Sequence, residues 1–203
     1  GQQTGWPLTT DFNGRSQEGV GYYQHTLDRG RRCSSAAAYL SRTRGRPNLE
    51  VWTDAAAQRL LLDDSHRAVG VALRRDGQAL EVRAAREVIV AAGTIHSPQL
   101  LQCSGIGDGA HLQSLGVPLR VHAPEVGHNL QDHLQARLRY TLSRPWSLND
   151  LYHRRWLTAK EVAAYALTRR GRLAQAPIRA GAFCRSAPDE SRPDLQFHFI
   201  EFT

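Results

Sequence analysis

The chain has 203 residues, 41% of them hydrophobic, a composition typical of a globular protein large enough to bury a core. It has no apolar run near the roughly 20 residues of a membrane-spanning helix, and its first ten residues lack the basic and apolar regions of a signal peptide. The formal net charge of +7 makes nucleic-acid binding a function to consider. The arginines are scattered, however, and no basic helix carries interleaved aromatics, so we expect no nucleic-acid partner.

The first predicted elements are strands, which follow one another from residue 49 onward. Four segments have the apolar pattern of strands: 49–53, 57–63, 68–75 and 78–84. Asp76-Gly77 separates the last two and predicts a two-residue hairpin turn. The segment 87–93, "EVIVAAG", is a continuous apolar run and predicts a buried strand of a parallel sheet.

Two short helices are predicted after that strand. Ser97 is a candidate N-cap, Pro98 suits the first helical position, and Gly105 is expected to end the helix in the left-handed conformation. Asp108 is a candidate N-cap for a second short helix, which Gly116 would end.

A longer helix is predicted nearer the C-terminus. Thr158 and Glu161 have the spacing of a capping box, and the helical pattern continues to Gly171. The region around Pro145, upstream of it, is interpreted as a linker or a crossing between domains.

The small residues that close the 87–93 strand leave two interpretations open. Ala-Ala-Gly before a helix lets a ligand approach the backbone, and free N–H groups at a helix start favour an anion, which predicts a cofactor edge near Gly93. The alternative is that Gly93 and Gly107 only permit tight packing.

The stretch Gly93–Gly107, "GTIHSPQLLQCSGIG", resembles the second signature of the glucose–methanol–choline (GMC) flavin oxidoreductases. That signature has Gly, a small residue, Ser/Thr-Pro, paired aliphatic residues and Ser-Gly-aliphatic-Gly. Other segments resemble the same family in the same order: 11–24, 30–40, 46–51, 126–134, 180–186 and 193–199. The resemblance covers essentially the whole chain, and bacterial members similar to choline dehydrogenase are nearest.

The resemblance implies an α/β fold in two parts. Residues 1–133 would belong to a Rossmann-like FAD-binding domain with a β-meander, and residues 134–203 would begin an α+β substrate-binding domain. The whole protein would be an FAD-dependent enzyme that oxidises the CH–OH group of a small alcohol by passing a hydride to flavin N5.

The resemblance also implies which residues meet the cofactor: Ala57, Ala92, Gly93, Thr94, Ser97 and Asn129. Ala57 stands where family members place a Val backbone against the adenine. Ser97 would cap the helix behind the strand. Asn129 belongs to a polar turn with Asp132 and His133, for which a purely structural role is the alternative. His128, Asp132 and His133 have no standard zinc spacing, so we expect no metal.

Arg179 is the candidate substrate residue. Members similar to choline dehydrogenase commonly carry Glu at the matching position, where a carboxylate suits a trimethylammonium group. An arginine there would repel it, which predicts a neutral or acidic alcohol as substrate in preference to choline. The alternative is that Arg179 points to solvent.

Two parts of the family pattern are missing from the chain. It contains no Gly-x-Gly-x-x-Gly phosphate loop, and the catalytic His of the family would lie beyond residue 203. We therefore assign no catalytic residue, expect the isolated chain to be inactive, and leave open whether it binds FAD. The alternatives are a non-catalytic, self-associating structural remnant and, less favoured, a basic nucleic-acid-binding module.

The ends and the cysteines supply the remaining expectations. Methionine is absent, Gly1 comes first, and the last ten residues alternate like a strand, so we expect a piece of a longer protein. Exposed sheet edges left by missing strands would favour homo-oligomers. Cys33, Cys103 and Cys184 are far apart and form no CxxC pair, which favours a reducing, cytoplasmic setting.

Overall fold

The computed structural model describes residues 1–141, 143 and 147–202. It has a mixed α/β architecture with several small sheets, which confirms the predicted fold class. Its contacts divide the chain into two compact units, residues 50–136 and residues 1–49 with 137–203. The linker predicted around Pro145 lies outside the described residues. No described helix combines the length and the apolar character needed to cross a bilayer.

The strands in chain order are β1 (Gly19–Tyr22), β2 (Leu27–Asp28), β3 (Arg31–Arg32), β4 (Ala55–Leu62), β5 (Ala68–Arg75), β6 (Gln78–Arg83), β7 (Ile106–Gly107), β8 (Val121–His122), β9 (Ile178–Cys184) and β10 (Leu195–Ile200). The α-helices are α1 (Ser41–Thr43), α2 (Gly93–Cys103), α3 (Gly109–Ser114), α4 (Asn149–His153) and α5 (Arg155–Thr168). Short 3-10 turns cover Gln2–Thr4 and Arg172–Ala174, and a π-helical turn covers Ala36–Leu40.

The unit of residues 50–136 is built on an antiparallel meander, β4–β5–β6. Asp76 and Gly77 have φ of 50° and 78°, and the pairing of Arg75 with Gln78 closes the two-residue turn, which confirms the predicted hairpin. In the β4–β5 connection the Asp63 carboxylate accepts hydrogen bonds from Ser65 and from the Arg67 backbone. These bonds, the Ser65 hydroxyl first, lower the pKa of Asp63.

Helix α2 packs on β4 through a buried hydroxyl group. Ser104 Oγ accepts the Leu60 N–H at 2.7 Å and donates to the Leu100 carbonyl at 2.5 Å. Leu60 and Leu61 on β4 and Leu112 on α3 are buried and form part of the core beside this contact. Gly105 follows with φ of 83°, so it ends α2 in the left-handed conformation, as predicted.

The predicted second short helix is also confirmed. The Asp108 side chain accepts the His111 N–H at 2.8 Å at the start of α3, and Gly116, with φ of 71°, follows its end. Here the capping side chain and the glycine act locally, so the sequence alone locates both ends.

The other unit contains a three-stranded antiparallel sheet in the order β1–β9–β10. Phe12 packs against Tyr23 and Phe183, each pair with ring centroids 5.1 Å apart. The Tyr23 hydroxyl crosses over Gly181, donates to the Phe197 carbonyl at 2.9 Å and accepts from Gln196. Gly181 is required there because a Cβ atom would overlap the tyrosine oxygen.

Two predicted strands are wrong. Residues 49–52 are irregular, and β4 begins only at Ala55. Residues 87–91 do not form a strand, and the Ile89 side chain is 79% exposed. A buried parallel strand needs neighbours on both edges, and no described strand pairs with this segment. An apolar pattern indicates that a segment suits burial, but it does not show whether a neighbouring strand pairs with it.

The predicted starts of two helices are also wrong. α2 begins at Gly93, so Ser97 and Pro98 lie inside it. α5 begins at Arg155 and ends at Thr168, with Arg169 in the left-handed conformation. Thr158 bonds the Leu151 carbonyl and Glu161 accepts the Arg172 N–H, so the two residues form no capping box. Both side chains find partners outside the local turn, which spacing alone does not reveal.

We predict that Ser104→Ala destabilises the protein by about 1–3 kcal/mol, because it leaves the buried Leu60 N–H without an acceptor. Chemical denaturation of the two proteins measures the difference. Ser114→Ala is the matched control, since its exposed hydroxyl donates to the His111 carbonyl of its own helix at 2.7 Å. Equal effects of the two substitutions would contradict the assignment.

Candidate functional site

The N-terminal half of α2 forms one wall of a cavity of about 400 Å³. Thr94, Ile95, Pro98, Gln99 and Gln102 line it, and their spacing puts them on one face of the helix. Pro98 carries no N–H, so α2 lacks the hydrogen bond that this position would give to the Thr94 carbonyl. This wall therefore combines the apolar side chains of Ile95 and Pro98 with the Thr94 carbonyl and the polar side chains of the two glutamines.

The opposite wall is the turn at residues 127–131. Gly127 and Asn129 both have positive φ, 87° and 57°, which curls the backbone towards α2. Gln102 Nε2 donates to the Val126 carbonyl at 3.0 Å and fixes the turn against the helix. Asn129 Nδ2 donates to Glu125 at 2.7 Å. Two amide side chains thus hold the cavity together.

The lining is polar but carries no carboxylate, lysine or arginine. The side-chain amides of Gln99, Gln102, Asn129 and Gln131 offer both donors and acceptors. The first-turn N–H groups of α2 add the partial positive charge of a helix N-terminus. This arrangement suits a ligand with many hydrogen-bonding groups or a partial negative charge.

The conformation at the start of α2 depends on Gly93. Its φ is 84°, and a Cβ atom built on it would meet nothing within 4 Å. Ala92, the residue before it, is held by a 3.1 Å hydrogen bond from its N–H to Ser97 Oγ. Ser97 therefore braces the helix start from inside α2 and not from the cap position.

The structure brings together some of the candidate cofactor residues and separates another. Thr94 and Asn129 line the same cavity, and Ala92, Gly93 and Ser97 adjoin it at the start of α2. Ala57 lies exposed on β4, opposite Leu73, and is not part of the lining. Sequence reasoning missed Gln99, Gln102 and Gly127. The spacing of the two glutamines from Thr94 was the available signal for them.

Arg179 lies in the other unit, at a cavity of about 150 Å³. Its guanidinium forms an ion pair with Glu201 and donates to Gln175 Oε1 at 2.7 Å. The side chains of Arg179 and Glu201 are 41% and 29% exposed, so the pair is partly shielded from water. The Glu201 backbone carbonyl accepts the Leu148 N–H at 2.7 Å. Arg179 is thus neither free in solvent nor an uncompensated charge.

Neither metal-binding clusters nor disulfides occur among the described residues. Asp132 and His133 are almost fully exposed, and their closest contact is the 2.7 Å bond from the His133 N–H to the Asp132 carboxylate. Cys184 is buried, which raises the pKa of its thiol and makes it less reactive.

The GMC oxidoreductase family model matches residues 1–135. An oxygen-dependent choline dehydrogenase from Burkholderia ambifaria is 42% identical over 201 residues, which cover 98% of this chain and 35% of that protein. A protein of the same name from Burkholderia vietnamiensis matches equally. The chain therefore spans about a third of the length of these relatives.

Solved structures agree on the fold. A formate oxidase superposes with a TM-score of 0.80 at 22% identity, over 98% of this chain and 38% of that one. A fungal aryl-alcohol oxidase superposes with a TM-score of 0.77 at 26% identity, over 90% of this chain and 32% of that one.

Proposed function

The chain belongs to the GMC oxidoreductase family, and we propose that it is a segment of an FAD-dependent enzyme that oxidises the CH–OH group of a small alcohol. The observation that carries the proposal is the 42% identity to choline dehydrogenase across almost the whole chain. The aryl-alcohol oxidase, at 26% identity, supports the same class of substrate. We place the protein in the cytoplasm, where its free cysteines would stay reduced.

We propose that residues 1–133 contribute to the FAD-binding domain and residues 134–203 to the substrate-binding domain. The compact unit that ends at residue 136 lies close to this boundary. β1 belongs to the first segment but pairs with β9 of the second. The two domains would therefore not be separated by a single boundary in the sequence.

The cavity beside α2 is the part of the proposed FAD site that this chain supplies. Its amide groups, the N–H groups of the α2 first turn and the open space at Gly93 fit part of a large polar cofactor. Ala92, Gly93, Thr94 and Asn129 would hold it there, with Ser97 fixing the helix start. Bound FAD would accept the hydride of the alcohol. Ala57 would contribute only through its backbone, from β4.

Arg179 is the proposed substrate-side residue. Its ion pair with Glu201 engages the carboxylate that a quaternary ammonium group would need, and Arg172, which lines the same cavity, adds a second cation. A neutral or acidic alcohol is therefore favoured over choline. The exposed edge strand β10, with Phe197 and Phe199 about half exposed, favours self-association of the isolated chain.

We predict that the isolated 203-residue chain, with FAD added, does not reduce a dye in the presence of choline or simple alcohols. It lacks both the phosphate loop that anchors the cofactor and the C-terminal histidine of the family. The full-length protein is the positive control. Turnover by the isolated chain above a heat-inactivated sample would contradict the prediction.

We predict that Gly93→Val lowers the flavin content of the full-length protein severalfold, because a branched residue is strained at a φ of 84° and projects into the open space. Absorbance of bound flavin per folded protein measures it. Gly116→Val is the matched control, since Gly116 has a φ of 71° and equally open surroundings but lies away from the cavity. An equal loss of flavin in both variants would contradict the prediction, because backbone strain alone would then explain it.

We predict that the full-length enzyme has a higher kcat/KM for the neutral isostere of choline, in which a tert-butyl group replaces trimethylammonium, than for choline. Arg179→Gln frees the Glu201 carboxylate, so the ratio of kcat/KM for choline to kcat/KM for the isostere should rise about tenfold. Arg185→Gln is the matched control, because Arg185 forms a similarly exposed ion pair with Glu18. A wild-type preference for choline would contradict this specificity.

A further inference from the structure

The cavity of about 150 Å³ beside Arg179 contains a second arginine, which comes from a different element of the fold. Arg172 begins the 3-10 turn that follows α5, whereas Arg179 lies on β9. Both guanidinium groups reach the same cavity, where Glu201 also lies. The rest of the lining is mostly apolar and consists of Leu148, Leu173, Ala176 and Pro177, together with the amide of Gln175.

The charges in this lining do not cancel. Two arginines face one glutamate, which leaves a net of one positive charge among the described lining residues. Glu201 is engaged by Arg179 in an ion pair, and Gln175 accepts a further hydrogen bond from the same guanidinium at 2.7 Å. The positive charge in excess is therefore that of Arg172.

The Arg172 guanidinium is half-buried but weakly engaged. It forms no ion pair with another described residue, and its Nη1 atom donates to the Ser147 carbonyl at 3.5 Å, which is long for such a bond. Glu161 also approaches this residue, but its carboxylate accepts the Arg172 backbone N–H at 3.1 Å and lies outside the lining. A guanidinium has five N–H donors, so Arg172 has donors to offer a ligand.

We propose that this cavity binds a carboxylate of the substrate, which makes the substrate a small hydroxy acid, and that Arg172 is the residue that selects it. The inference rests on the proposed alcohol oxidation and names its substrate class. A planar carboxylate can accept two parallel N–H bonds from one guanidinium, and the apolar lining strengthens the attraction by excluding water. The cavity is smaller than the roughly 300–1,000 Å³ of pockets for drug-sized ligands, so it suits a molecule of few carbon atoms.

Other roles and ligands account for less of this arrangement. A tether to the Ser147 carbonyl needs only one neutral donor, so it does not explain a charged side chain in the lining. A neutral alcohol would leave the half-buried Arg172 without an anionic partner, which is unfavourable for a cation removed from water. A phosphate ester brings close to two negative charges to a lining with one positive charge in excess. A carboxylate balances that charge.

The anion site can be tested without any oxidation, by calorimetric titration of the full-length protein with butanoate and with its neutral isostere butanamide. We expect butanoate to bind at least about tenfold more tightly, and Arg172→Gln should abolish the difference. Arg170→Gln is the matched control, because it removes a nearby exposed arginine that lines neither cavity, and it should keep the difference within about twofold. Equal binding of the two compounds by the wild type would overturn the proposal, as would an equal loss in both variants.

Steady-state kinetics of the full-length enzyme test the substrate class, with 3-hydroxypropanoate, 4-hydroxybutanoate and 5-hydroxypentanoate each compared with its own amide. We expect one of the acids to have a higher kcat/KM than its amide, and Arg172→Gln should lower that value about tenfold. The amide should stay within about twofold, which also shows that the variant is folded. An equal or higher kcat/KM for the amide at every chain length would overturn the proposal. If no alcohol is oxidised, the proposed oxidation fails, and the butanoate titration still confirms or overturns the anion site.

Discussion

The hydroxyl of Ser104 determines where the site lies. It is buried between the Leu60 N–H and the Leu100 carbonyl, and it joins the end of α2 to the meander. A buried backbone N–H must find an acceptor, so this contact fixes the axial position of the helix. Gln102, two residues earlier, then holds the turn at 127–131. The cavity is the space between α2 and the 127–131 turn: Ser104 anchors α2 to the meander, and Gln102 anchors the turn to α2.

The features that could be predicted from the sequence are those whose causes are local. Asp76-Gly77 closes a hairpin, Asp108 caps α3, and Gly105 ends α2, because each acts within a few residues of itself. The features that could not be predicted depend on distant partners. The 87–91 segment has the pattern of a buried strand but no paired neighbour among the described strands. Thr158 and Glu161 have capping-box spacing but bond elsewhere.

The candidate site also has residues that the sequence predicts and residues that only the folded structure reveals. The family signature in the sequence locates Gly93 and Thr94, and the structure adds the glutamines that share their helix face. Arg179 illustrates the opposite case. In the sequence it is an isolated cation, but strand pairing brings Glu201, 22 residues later, into contact with it. The charge of a pocket is a property of the folded pair, so a substrate inferred from one residue needs its neighbour as well.

The candidate cavity and the exposed arginines of residues 29–32 and 169–170 belong to different units of the chain. The cavity lining on α2 and the 127–131 turn carries no carboxylate, lysine or arginine, so it would hold a ligand mainly through amides and backbone groups. Arg29, Arg31, Arg32, Arg169 and Arg170, in the other unit, are exposed and together give a positive field, although Asp28 lies opposite Arg31. A field of that kind acts over a screening length and needs no close fit, whereas hydrogen bonds in a cavity need atoms placed within about 0.5 Å. The net charge of +7 therefore acts at long range, whereas the glutamines and Gly93 would act only by close contact with a ligand.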